Sequence, residues 1–106
     1  MHTGIDIGAP RGTSVQVPAP GRVAFAGWRS GYGRTIVIDH GSHVHTLYAH
    51  LSTLRVRRGQ RVEQGSPIGS TGSTGYVSGP HLHYEILVRG RPLNPRDYLG
   101  EVRRTR

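Results

Sequence analysis

Turn-forming residues interrupt this sequence so often that no long helix fits between them. The chain has 16 glycines and 7 prolines, and most of them separate short runs rich in β-branched or alternating apolar residues. The clearest runs cover residues 22–28, 34–39, 44–50 and 81–89, and no window repeats its apolar residues with a helical period. The pattern predicts an all-β fold, a compact antiparallel sandwich or partly closed barrel with long loops and little or no helix.

The composition restricts how so small a chain can be stabilised. Its 106 residues include few aromatic side chains, so the core must be aliphatic and thin, and such domains often need a covalent or metal staple. The absence of cysteine excludes disulfides and thiolate metal sites. The chain has seven histidines, so the staple that remains possible is a metal ion held by imidazole and carboxylate groups. No apolar stretch reaches the ~18 residues that a membrane span requires.

The net charge of +8 comes from arginine alone, because the chain contains no lysine. This excludes Schiff-base chemistry, a P-loop lysine and the attachment of biotin or lipoate. A positive balance indicates an anionic partner such as nucleic acid, a membrane or a wall polymer, although an arginine-rich solvated surface explains it equally well. The arginines are scattered among the turns without interleaved aromatic residues, so we expect no nucleic-acid binding.

The last predicted strand carries the most informative pair of side chains. His81 and His83 are two residues apart, so they share one face, while Leu82 and Tyr84 point to the opposite, apolar face. Glu85 follows on the histidine face. Two adjacent imidazoles can supply two metal ligands, or one ligand and one catalytic base. An isolated pair of this kind is nevertheless more often simply exposed.

His2 and Asp6 lie four residues apart and share a face if the chain is extended there. With His83 they make a set of two imidazoles and one carboxylate, the composition of a zinc site that keeps one position open for water. Zinc in such a site lowers the pKa of the bound water toward ~7. Because chain ends usually fray, a functional residue at position 2 also predicts that this sequence is a fragment of a longer protein.

The other four histidines are weaker candidates. His50 lies in an apolar run, where a lone histidine is usually structural. His40, His43 and His45 border or follow a predicted hairpin turn at residues 39–42, and we expect them to be solvated or structural. The sequence also leaves open that a surplus metal ion binds at His43 and His45.

Three segments, taken in order, resemble the signature of the lysostaphin-type zinc endopeptidases, also called the LytM family. They are His2-Thr3-Gly4-Ile5-Asp6, Tyr48-Ala49-His50-Leu51 and His81-Leu82-His83. The glycine framework between them, including Gly31-Tyr32-Gly33 and the glycine–valine spacing of residues 56–69, is similar to that family as well. The resemblance extends from His2 to about Leu99.

The resemblance implies a role for five residues. His2, Asp6 and His83 would bind Zn²⁺, and the zinc would hold a water that attacks a peptide carbonyl. His50 and His81 would lie beside that water and orient it, take its proton or stabilise the oxyanion. The sequence does not divide those roles between the two.

Glu85 has two possible roles. It either orients an imidazole from outside the ligand set or pairs with an arginine at the surface. The substrate-binding pocket is expected to be built from loops at residues 26–34 and 71–79.

The resemblance also implies a biological setting. The substrates would be peptidoglycan peptides, cut in the periplasm, in the cell wall or outside the cell. The parent protein would be membrane-anchored or secreted, and the domain monomeric. We expect the domain to cover residues 1–100, with one helical turn at residues 94–99 and a flexible arginine-rich tail at residues 101–106. The type of cross-bridge or stem-peptide bond that is cut is not predicted.

Four other functions fit parts of the sequence less well. A degenerate relative would act as a wall-binding or amidase-activating scaffold, but here all five functional positions are present. A non-haem iron oxygenase also uses two histidines and one carboxylate, yet it needs no further histidines. A biotin- or lipoyl-carrying domain requires a lysine, and an arginine-rich nucleic-acid module requires a continuous basic strip.

Overall fold

The computed structural model describes residues 4–74 and 79–93. These residues form nine strands with no helix among them, which confirms the predicted all-β class. No helix capable of crossing a membrane occurs in this part of the chain. His2, the predicted helical turn at residues 94–99 and the predicted tail at residues 101–106 lie outside the described residues.

The strands follow one another with short connections. They are β1 (Ile5–Gly8), β2 (Ser14–Gln16), β3 (Gly21–Arg29), β4 (Gly33–Asp39), β5 (Val44–Leu54), β6 (Arg61–Val62), β7 (Pro67–Thr71), β8 (His81–Val88) and β9 (Arg91–Pro92). The predicted hairpin turn between β4 and β5 is confirmed. Residues 26–34, expected to be a loop, are instead mostly the hairpin of β3 and β4, because both strands continue almost to their common turn.

All pairings between these strands are antiparallel, and β5 is shared by two branches of the sheet. Six strands follow the order β1-β8-β5-β4-β3-β6, with β9 paired to β8. The first half of β5 pairs with β8 and its second half with β7, which in turn pairs with β2. The ends of the six-strand path, β1 and β6, do not pair with each other. The described part of the sheet is therefore not closed into a barrel.

The main core lies on one face of this sheet and is aliphatic, as the composition predicts. It contains Val15, Val17, Val23, Ile36, Ile38, Tyr48, Leu51, Val62 and Ile68. Tyr48 is the only aromatic residue in that group and is 1% exposed. Leu82 and Tyr84 of β8 pack against it, as the alternation of that strand predicts.

The opposite face carries a smaller apolar cluster of Val37, Leu47 and Ala49. Phe25, Tyr32 and Leu87 pack against it. His83 lies opposite Ala49 in the pairing of β5 with β8. The two predicted histidines of β8 therefore belong to this second face, away from the main core.

Candidate metal and active site

Asp6 and His83 are neighbours because the first strand pairs with the eighth. In the antiparallel register of β1 and β8, Asp6 lies directly opposite His83. The Nδ1 atom of His83 is 2.8 Å from the Oδ1 atom of Asp6. Two residues that are 77 positions apart in sequence are thus brought into direct contact by strand pairing alone.

The second ring nitrogen of His83 is also bonded to a carboxylate. Its Nε2 atom lies 2.7 Å from Oε2 of Glu85, two residues along the same face of β8. The hydroxyl of Tyr32 donates to the same oxygen at 3.2 Å. The hydrogen bond with Glu85 is the main cause that raises the pKa of His83, and Asp6 adds to it, while burial opposes both.

His50 reaches this face through an irregularity in β5. Its φ is 61°, and the pairing of β5 with β4 shifts register close to it. Regular alternation would direct His50 to the same side as Tyr48, into the main core. Instead its ring centroid lies 5.1 Å from that of His81 and 6.0 Å from that of His83.

The ring of His50 is held by the carbonyl of Thr74. Nδ1 donates to that oxygen at 2.6 Å, so its proton lies on Nδ1 in the neutral form. Burial is the main cause that lowers the pKa of His50; the Thr74 hydrogen bond opposes it, and the nearby rings of His81 and His83 reinforce it.

His81 has a similar arrangement. Its Nδ1 donates to the carbonyl of Gly79 at 3.0 Å, and its Nε2 lies 3.7 Å from Oδ1 of Asp6. In its neutral form each of the two rings thus carries its proton on Nδ1, and its Nε2 is then a proton acceptor.

The donors at Asp6 and His83 fit a zinc ion. A carboxylate oxygen and an imidazole nitrogen are ligands that zinc accepts, and a separation of 2.8 Å allows both to contact one cation. A metal-binding histidine usually donates its other ring N–H to a carboxylate or carbonyl. Here Nε2 of His83 makes such a bond to Glu85, and Nδ1 is the nitrogen that faces Asp6. Within residues 4–74 and 79–93 no three such side chains form a metal site by themselves; the predicted third ligand, His2, lies outside them.

His40, His43 and His45 lie outside this cluster, although His45 lines the neighbouring cavity. His40 bonds through Nδ1 to the carbonyl of Pro20 at 2.9 Å and through Nε2 to the hydroxyl of Thr46 at 2.7 Å, which is a structural role. His43 is exposed in the β4–β5 turn. His45 lies 3.7 Å from a carboxylate oxygen of Asp39.

A cavity of about 800 Å³ borders the site on the same sheet face. Its lining includes Tyr32 and Glu85, the two residues that adjoin His83, together with the apolar side chains of Val37, Leu47 and Leu87. The cluster of Asp6, His50, His81 and His83 does not line this cavity itself. Its volume falls within the range of about 300–1,000 Å³ that is usual for ligand pockets.

The arrangement of two possible ligands and two further imidazoles can be compared with known proteins. Residues 1–95 match the model described as Peptidase family M23. The chain belongs to peptidase family M23. This M23 chain is 50% identical over 95 residues to the DD-carboxypeptidase/endopeptidase Mpg of Neisseria meningitidis, a match that covers 90% of this chain and 22% of the relative. It is 40% identical over 97 residues to the murein hydrolase activator EnvC of Escherichia coli, which covers 92% of this chain and 23% of the relative.

Solved structures agree with this M23 assignment and confirm the resemblance to lysostaphin. A zinc containing peptidase from Vibrio cholerae is 40% identical with a TM-score of 0.82, over 85% of this chain and 28% of that one. Lysostaphin from Staphylococcus simulans is 34% identical with a TM-score of 0.87, over 95% of this chain and 45% of that one. The M23 chain spans about a fifth of the length of the curated relatives it matches.

Two residues of the site were not predicted to belong to it. Tyr32 belongs to a glycine-flanked turn, and its hydroxyl reaches Glu85 across the sheet. Thr74 contributes a main-chain carbonyl to His50, and main-chain groups leave no trace in residue type. The alternation of β8, by contrast, was sufficient to place Glu85 beside His83.

Proposed function

We propose that this domain is a zinc-dependent endopeptidase that hydrolyses peptide bonds of bacterial peptidoglycan, in a cross-bridge or a stem peptide. The observation that carries the proposal is the cluster formed on one sheet face by Asp6, His83, His50 and His81. In this proposal Asp6 and His83, together with His2, bind Zn²⁺. The names of two relatives, the peptidoglycan DD-endopeptidase ShyA of Vibrio cholerae and the murein hydrolase activator EnvC, support peptidoglycan as the substrate class.

His50 and His81 are the proposed catalytic residues. Bound zinc would supply a water of pKa near 7 and a Lewis acid for the peptide carbonyl. The carbonyls of Thr74 and Gly79 orient the two rings, so that each Nε2 is available to accept a proton. A protonated ring can in turn donate to the oxyanion or to the leaving amine.

The same proposal includes the setting of the reaction. Because peptidoglycan lies outside the cytoplasmic membrane, we infer an extracytoplasmic site of action and a parent protein that is secreted or anchored to the membrane. We also infer that the domain works as a monomer on a peptide held in the cavity beside Glu85. No nucleic-acid partner is proposed.

A second candidate is a non-hydrolytic scaffold that activates other wall hydrolases. The 40% identity to a murein hydrolase activator favours it. The close contact of Asp6 with His83 and the presence of both further imidazoles favour hydrolysis instead.

Metal content and wall clearing distinguish the two candidates. We expect about one zinc per chain and chelator-sensitive loss of turbidity from purified cell walls. Asp6→Ala and His83→Ala should lose both zinc and activity, because each removes a ligand. His81→Ala should keep zinc and lose about 10²- to 10⁴-fold in rate, and the exposed His43→Ala should resemble the unmodified chain.

Two results would contradict the proposal. An active His83→Ala protein without zinc would overturn the site. If the unmodified chain bound no zinc and cleared no walls, whichever type of cross-link the walls contained, the scaffold function would be favoured.

A further inference from the structure

We propose that Glu85 and Tyr32 form a positioning pair that determines which nitrogen of His83 faces the metal and ties this ligand to the strand segment carrying His50. The inference rests on the proposed zinc site. It goes beyond that site because neither residue is a proposed ligand or a proposed proton carrier.

The first half of the argument concerns Glu85. Its side chain is buried, with the residue 3% exposed, and Oε2 lies 2.7 Å from Nε2 of His83. A carboxylate can only accept, so Nε2 must carry a proton. By the same rule Nδ1 donates to Asp6 at 2.8 Å in this structure. Because Nδ1 faces the other proposed ligand, a bound metal would take the place of its proton, while Glu85 keeps the proton on Nε2. Without Glu85 the ring could present either nitrogen.

The second half concerns Tyr32, which contacts both sides of the site. Its hydroxyl donates to the same Glu85 oxygen at 3.2 Å, and its ring centroid lies 5.8 Å from that of His83. Its main-chain carbonyl accepts the N–H of His50 at 2.8 Å. One residue therefore supports the metal ligand through its side chain and the proposed catalytic histidine through its backbone.

The turn that carries Tyr32 is itself anchored. Gly33 has a φ of 71°, and a Cβ atom there would lie 2.5 Å from the carbonyl carbon of Thr74. The N–H of Arg34 donates to the Thr74 hydroxyl at 3.1 Å. Since Thr74 also holds Nδ1 of His50, the turn is fixed against the residue that orients the second imidazole.

The loss expected on breaking this pair is measurable as metal affinity. Partners that orient a ligand histidine typically contribute about 10- to 100-fold in affinity. Glu85→Gln retains an acceptor but loses the charge, and we expect its zinc dissociation constant to rise by that factor. Tyr32→Phe removes one hydrogen bond to Glu85, and we expect a rise of about 3- to 10-fold.

The experiment is a chelator competition for zinc on the full 106-residue chain, followed by activity measured against zinc concentration. Glu63→Gln is the matched control, because Glu63 is an exposed acid paired with Arg61 at 3.3 Å. It should bind zinc like the unmodified chain. Added zinc should restore activity to Glu85→Gln, whereas a merely structural role would lower folding stability without shifting the zinc dependence.

The outcomes separate this inference from the proposed function. Zinc affinity within about twofold of the unmodified chain in Glu85→Gln overturns the pair alone. If Glu85→Gln does not fold, an unchanged affinity in Tyr32→Phe overturns it instead. An unmodified chain that binds no zinc overturns both proposals.

Discussion

His50 has a φ of 61°, in the left-handed region that asparagine tolerates and β-branched residues avoid. That backbone angle accompanies a register shift in β5. It brings the imidazole to the face of His81 rather than into the core beside Tyr48. The backbone and the side chain of His50 therefore contribute separately, one to the shape of β5 and the other to the proposed chemistry.

Two substitutions at His50 separate these contributions. We expect His50→Asn to keep the fold and the bound zinc but to lose about 10²- to 10⁴-fold in hydrolysis rate, because only the imidazole is missing. His50→Val should also lose about 1–3 kcal/mol of folding stability, since valine strains at positive φ. Urea denaturation with zinc analysis measures both. Equal stability of the two variants would show that the backbone angle is not a constraint.

The sequence predicted the residues of the site unequally. His81, His83 and Glu85 follow from the two-residue period of a strand, and the structure places all three on one face of β8. His50 could be assigned only through family resemblance, because no residue type marks a left-handed angle in an apolar run. Its neighbour Thr74 acts through a main-chain carbonyl, which carries no sequence signal.

At the scale of the element, β5 and the segment after β7 approach very closely. Gly72 makes an isolated bridge to His81, and a Cβ atom on Gly72 would lie 2.7 Å from the N atom of Ser52. The segment that leads to Thr74 is thus packed directly against β5. A side chain at position 72 would force the two apart.

Gly72→Ala tests this packing. We expect a loss of about 1–3 kcal/mol, typical of overpacking, together with lower activity because the Thr74 carbonyl moves away from His50. Gly27→Ala in β3 is the control, since a Cβ atom there would meet only the ring of Phe25, at 3.5 Å, and the residue takes no part in the site. Comparable urea midpoints for the two variants would argue against the close contact.

The elements themselves were predictable in proportion to their length. The predicted runs at residues 22–28, 34–39, 44–50 and 81–89 each overlap a strand, although β5 continues to Leu54. The short strands β1, β2, β6 and β9 contain two to four residues, too few for an alternation to be recognised. The pairing of β1 with β8 joins distant parts of the chain, and no local pattern indicates it.

For the whole molecule, the dominant property is a net charge of +8 supplied by arginine. Such a charge attracts an anionic polymer over a distance set by the screening length, about 10 Å at 0.1 M salt. The exposed turn after β5 contributes Arg57 and Arg58, and Arg22 lies opposite Arg61 where β3 pairs with β6. Like charges placed opposite each other are unfavourable for folding.

Binding to purified cell walls should therefore depend on salt. We expect the fraction that sediments with walls to fall several-fold between about 50 and 500 mM NaCl, because exposed charges are then screened. Hydrolysis of a short uncharged peptide should change little over the same range. Wall binding that is insensitive to salt would assign recognition to the cavity rather than to the charge.

The position of β1 at one end of the sheet makes the proposed chemistry separable from the scaffold. This strand carries Asp6 and, among the described strands, pairs only with β8. Detaching it would remove a proposed ligand while leaving every other described strand pairing intact. A sequence change confined to this end strand can therefore abolish the proposed reaction while the rest of the domain still folds. In a lineage of such domains, activity and fold can change independently.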